Sequence, residues 1–202
     1  MKNPILLALP LLALVACKKD TSVLPQIHTN DVTHAVGRGV AAAKPDSIPD
    51  QAAFRLRLSE DSSNRDETMF MFNHASGLNY SPGYDALYFP GFGQVSLSGI
   101  SGDGRKLSIY SLPYHPDMAI GLNVNTKNDG NFSLGISYMS KIPPNIHIWL
   151  RDTYLKDSVD VCMGNYNFTV SKADTSSFGG RRFQLVFKAF AAPQPQPPSA
   201  PQ

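Results

Sequence analysis

Side chains able to do chemistry are few and widely spaced in this sequence. The histidines are His28, His34, His74, His115 and His147. They fall at no metal-ligand spacing, and no His-Glu-x-x-His stretch is present. A Gly-x-Ser-x-Gly elbow, a phosphate loop and a dinucleotide fingerprint are likewise missing. From Asn125 to Gly130 the chain imitates the start of a calcium loop. Lys127 then stands where an oxygen ligand is needed, and Ile136 where the bidentate glutamate belongs. Asp152, Asp157 and Asp160 form the densest group of carboxylates. On one loop they have the chemistry to hold calcium, but solvated turn residues are the expected reading. Cys162 lies between Val161 and Met163 with no cation beside it in sequence, so it is expected to be a buried small apolar side chain rather than a reactive thiolate. The expectation is therefore no catalytic residue, no bound metal and no cofactor.

Aromatic residues offer a different chemistry. The segment from Leu78 to Phe92 carries Tyr80, Tyr84, Tyr88, Phe89 and Phe92 among prolines and glycines. Exposed, they form a platform for sugar rings; turned inward, they cap the open end of a core, which is the expected arrangement. Trp149, on the strand face opposite Ile148, is a second candidate for an exposed aromatic. Asp85 is expected to be structural, because a short carboxylate in a tight turn accepts backbone N–H groups nearby.

Charged residues make up 17% of the 202-residue chain and the formal net charge is +2, with Lys and Arg scattered rather than clustered. That distribution excludes the basic stripe of a nucleic-acid binder. Hydrophobic residues, at 42%, suffice for one ordinary core without a disulfide or metal staple.

The elements that position these residues follow from periodicity. Residues 1–17 read MKNPILLALPLLALVAC: Lys2, then an apolar run from Pro4 to Ala16 that is too short to span a bilayer. The ending Leu14-Val15-Ala16-Cys17 resembles the lipobox of bacterial lipoproteins. It implies a signal peptide over 1–16 and lipid on Cys17, which would be the protein's contact with the membrane. Lys18-Lys19-Asp20 partly resembles the surface-export signal of Bacteroidota lipoproteins, so a lipid anchor on the outer membrane, exposed at the cell surface, is expected. Residues 17–52 have no period and read as a flexible tether, and 191–202, AAPQPQPPSAPQ, as a disordered proline-rich tail.

Between them, over 53–190, side chains alternate with a period of two. Phe54, Leu56 and Leu58 line one face; so do Ile120, Leu122 and Val124, then Phe132, Leu134, Ile136 and Tyr138. Ile146, Ile148 and Leu150 follow, then Tyr166, Phe168 and Val170, and finally Phe183, Leu185 and Phe187. Residues 68–72, TMFMF, are apolar on both faces and predict a central strand. Asn128-Asp129-Gly130 between two alternating runs is the best hairpin signal. Strands with one wet face predict an all-β domain, an antiparallel β-sandwich with a jelly-roll connection compatible.

Several strand motifs occur in an order that resembles the β-sandwich domain preceding the type IX sorting domain of Bacteroidota surface proteins. They are Asp66-Glu67 before TMFMF, Tyr80 to Ala86 ending in Tyr84-Asp85-Ala86, Leu107 to Pro113, Leu150-Arg151-Asp152, Tyr166-Asn167-Phe168 and Arg182-Phe183-Gln184-Leu185. Ser81 departs from that pattern, and the proline-rich residues 191–202 do not resemble a sorting domain. The resemblance implies a non-catalytic surface module, adhesive or structural, with glycans or surface proteins as partners. A carbohydrate-binding module of a glycan-uptake system is the alternative.

Replacing Cys17 by alanine should abolish incorporation of a clickable fatty acid and release the protein from membranes. Equal label on the variant would overturn the lipid assignment.

Overall fold

Alternation turns into inward-facing side chains along most strands of residues 47–190, the part of the chain that this computed structural model describes. Cys17 and its signal segment, the tether up to residue 46 and the tail from residue 191 lie outside the described residues. The structure is all-β, as the period predicts, with one short 3₁₀ turn at Thr175–Ser177.

Strand β1 (Ala53–Ser59) pairs with β2 (Arg65–Phe72) across a turn in which Asp61 Oδ1 accepts the amides of Ser63 and Asn64 at 2.6 and 2.7 Å. On its other side β1 pairs with β7 (Gly130–Ser140), which in turn carries β10 (Tyr166–Val170). These strands make one wall. The second wall consists of β4 (Val95–Ile100), β6 (Ala119–Thr126), β11 (Gly179–Ala189), β8 (Ile146–Asp152) and β9 (Asp157–Asp160), all antiparallel. Between the walls runs β5 (Lys106–Leu112), antiparallel to β4 and to the two-residue β3 (Ala86–Leu87) but parallel to β2. The walls are thus one mixed ladder, in the order β10-β7-β1-β2-β5-β4-β6-β11-β8-β9, curled almost into a barrel.

The core lies between the walls. Phe54, Leu56, Leu58, Phe70 and Phe72 bury themselves from one side, and Leu122, Val124, Phe183, Leu185 and Phe187 from the other. Phe54 stacks on Phe70 with ring centroids 4.9 Å apart, and both Phe54 and Phe72 meet Phe187 edge-on across the gap, at 5.9 and 5.4 Å. The TMFMF run is indeed central, with β1 and β5 on either side. Packing extends to residues before 53: Ala52 is fully buried and Ile48 packs against the core, so the last residues read as tether belong to the domain.

Two expectations fail for a physical reason. Asn128-Asp129-Gly130 joins β6 to β7, yet these strands never pair; the turn carries the chain from one wall to the other. A tight turn between amphipathic runs serves a corner as well as a hairpin, and the choice is made by which wall has a vacant edge. Tyr138 also leaves the inner face. Leu56 pairs with Ile136 but Arg55 with Tyr138, so Ser137 is an extra residue and the bulge reverses the phase beyond it. Tyr138 then lies outside, its ring 5.8 Å from the Arg55 guanidinium carbon.

Where β8 and β10 end and β11 begins, the core encloses an ion pair. The side chains of Arg182 and Asp152 are 1% and 0% exposed. Arg182 Nη2 donates to Asp152 Oδ2 at 2.8 Å, Nε reaches both carboxylate oxygens at 3.2 and 3.1 Å, and Nη1 donates to the Thr169 and Ser177 carbonyls. Asp152 also accepts the amides of Tyr154 and Leu155 and the phenol of Tyr166. The rings of Phe183, Phe168 and Tyr154 stand 4.7, 4.9 and 5.0 Å from the guanidinium.

Removing one member of a buried pair leaves the other charged and dry, at a cost of about 3–5 kcal/mol. Arg182→Ala should therefore lower the urea midpoint by that much stability, and a midpoint equal to wild type would show that the pair is idle.

Candidate functional site

The connection from Asn73 to Gln94 contains only the two residues of β3 as regular structure, so side chains and crossing backbones must hold it. Asp85 does so twice: Oδ2 accepts Ser81 N at 2.7 Å, closing the turn, and Oδ1 accepts Ser111 N at 2.8 Å, tying that turn to β5. Ser111 Oγ donates to the Tyr84 carbonyl at 2.9 Å. Asp66, at the start of β2, accepts the Tyr88 phenol and Leu97 N, both at 2.8 Å. Gly102 N donates to the Leu78 carbonyl at 2.7 Å, and a Cβ on Gly102 would lie 2.7 Å from Asn79 Oδ1, so glycine permits this approach.

This scaffold sorts the aromatic residues. Tyr80 rests on the core with the Arg105 guanidinium 4.9 Å from its ring. Tyr88 is partly buried, and burial, followed by the Asp66 carboxylate, pushes its phenol up to about 12. Tyr84 points outward, and Phe89 and Phe92 stand in solvent, 81% and 101% exposed. Trp149 belongs to β8 in the other wall, partly buried, with the Lys188 ammonium 4.7 Å from its ring. Its Nε1 is buried and has no hydrogen-bond partner among the described residues. Tyr80, Tyr84, Tyr88 and Trp149 therefore form no common platform.

The three aspartates do not converge either. Asp152 is spent on Arg182, so its expected role as a solvated turn residue is corrected: the turn is wet, but the strand end pointing into it is not. Asp157 is exposed at the start of β9, and Asp160 accepts Cys162 N at 2.9 Å and pairs with His147 Nδ1. Among the described residues no three of His, Cys, Asp and Glu are grouped to hold a metal ion. Cys162 packs against the core, and burial pushes its thiol up to about 11.

A groove that periodicity does not reveal lies at the end where β2 and β5 finish side by side. Asn73 N donates to the Leu112 carbonyl there at 3.0 Å. One part, about 330 Å³, is lined by Asp50, Gln51, Asn73, Tyr84 and Ser111. The adjoining part, about 430 Å³, is lined by Asp50, His74, Ser76, Tyr114 and His115. Asp50 and His74 form its rim: the His74 amide donates to Oδ1 at 2.8 Å and Nδ1 pairs with Oδ2. The amide bond above all, with the imidazole assisting, holds the Asp50 carboxyl below its usual range. Apart from Ser111 of β5, these residues come from three separate loops, so no local spacing could have grouped them; Tyr84 is the one that the sequence singled out. Such a wall, with hydroxyl, carboxylate, imidazole and amide groups around an exposed phenol, can hydrogen-bond a polar ligand and stack on its apolar face.

The chain matches no family model, no curated protein and no solved structure.

Asp85→Ala strips two backbone donors of a charged acceptor, each such bond being worth roughly 1.5–3 kcal/mol. Its urea midpoint should fall accordingly. A midpoint unchanged or raised would instead assign Asp85 to ligand binding, since functional polar groups are often kept at the expense of stability.

Proposed function

We propose that this protein is a lipid-anchored, non-catalytic lipoprotein of the bacterial outer-membrane surface, attached through Cys17 and working through its β domain as an adhesive or envelope-structural module. The reading rests on the Leu14-Val15-Ala16-Cys17 ending and on the ordered motifs that resemble Bacteroidota surface domains. The observation that carries it is the pair Phe89 and Phe92. Both side chains stand in water and add nothing to the core, on a loop fixed beside them by Tyr88 and by Lys127 Nζ, which donates to the Phe92 carbonyl at 2.9 Å. Aromatic side chains presented in this way serve as anchors for a partner surface. A second reading, a carbohydrate-binding module, is favoured by the groove beside Tyr84.

Cells displaying the Phe89→Ser, Phe92→Ser double variant should attach to mucin-coated and cell-coated surfaces several-fold less than wild type, at equal surface abundance. Equal attachment would overturn the adhesive reading.

A further inference from the structure

We infer that the groove bounded by Asp50, Asn73, Ser76 and Tyr84 is a binding site for a short neutral oligosaccharide, an inference that rests on the carbohydrate-binding reading and gives it a place and a ligand class. The two parts of the groove, about 330 and 430 Å³, adjoin, with Asp50, Phe72 and Asn73 lining both. Each lies in the size range of small-ligand sites. The lining is mixed, which decides the chemistry. An apolar ligand would strip water from the Asp50 carboxylate and return no hydrogen bond to its remaining lone pairs. An anionic ligand would meet the Asp50 carboxylate, which its bonds from His74 keep ionised.

A sugar ring satisfies both kinds of surface. Its C–H face stacks on a phenol ring, and Tyr84 is about half exposed at the mouth, with its backbone pinned by Ser111 Oγ. Its equatorial hydroxyls both donate and accept. Ser76 Oγ is buried in the wall and finds no hydrogen-bond partner among the described residues, a condition that native side chains seldom tolerate unless a ligand or solvent completes the bond. Asp50 can accept from further hydroxyls at the rim, because a carboxylate has lone pairs beyond those that His74 uses.

The test uses the full-length mature protein, purified in detergent, on an array of neutral and acidic glycans, followed by calorimetric titration of the tightest neutral binder. Tyr84→Ala should weaken binding at least tenfold and Ser76→Ala several-fold, both with unchanged urea midpoints. Phe92→Ser, outside the groove, should bind like wild type. Binding that survives both groove substitutions would overturn the inference while leaving the carbohydrate reading intact. Binding to acidic glycans alone would likewise overturn the inference, and binding to no glycan at millimolar concentration would overturn both.

Discussion

The interaction on which the rest of this fold depends is the buried pair of Arg182 and Asp152. The ladder has two free ends, β10 and the β8–β9 side, and no strand pairing joins them. Arg182 replaces that missing pairing. It reaches from β11 to the Asp152 carboxylate at the end of β8, to the Thr169 carbonyl of β10 and to the Ser177 carbonyl of the 3₁₀ turn. Tyr166 closes the circuit by donating its phenol to Asp152 at 3.1 Å. Two dry charges are stable only if every donor and acceptor around them is used, and here the inventory is nearly full. The pair therefore sets the register as well as the seam: a one-residue slip of β10 or β11 would strand a charge in the core.

Carboxylates do the same work at the opposite task, fixing a long connection that has almost no strand. Asp66 holds Tyr88 and β4, Asp85 holds the Ser81 turn and β5, and Asp103 accepts Tyr80 N at 3.1 Å. Each is short, so each can place a backbone amide only within a narrow region. The outward position of Tyr84, Phe89 and Phe92 follows from this bracing rather than from their own packing, which is why they can stay in solvent without the loop being loose.

The inner faces of the strands were legible in the sequence because alternation is a local property: Phe54, Leu56, Leu58 and Phe183, Leu185, Phe187 are fully buried as their period requires. Pairing was not legible, because alternation says which residues face inward and never which strand lies alongside. The same limit hid the bulges. At the start of β11 the pairing passes from Gly179–Val124 to Phe183–Leu122, so the neighbours Arg182 and Phe183 are both buried, against strict alternation. The strand motif Arg182-Phe183-Gln184-Leu185 places Arg182 beside an inward phenylalanine and so on the outer face, and only the third dimension supplies its buried partner thirty residues back. Within the candidate site, Tyr84 and Asp85 stood out through their composition and motif. Asp50, Asn73 and Ser76 did not, being ordinary loop residues in the sequence.

The location of that groove follows from the one parallel pair among the described residues, β2 with β5. Antiparallel neighbours can be joined by a tight turn, which seals the end of the sheet between them; parallel neighbours cannot, since both chains leave at the same end. Phe72 of β2 and Leu112 of β5 are register partners, and from each the chain departs into a loop of its own. The segment entering β1 arrives at the same end, because β1 runs antiparallel to β2 with Ala53 opposite Met71. Three loops thus meet where one hairpin would otherwise close the sheet, and they cannot fill the space that their separate paths enclose. Asp50 comes from the entering segment, Asn73 and Ser76 from the loop after β2, Tyr114 and His115 from the loop after β5. A cleft with mixed lining is the geometric consequence of the parallel crossover, and the crossover itself is the segment that carries Tyr84, Phe89 and Phe92.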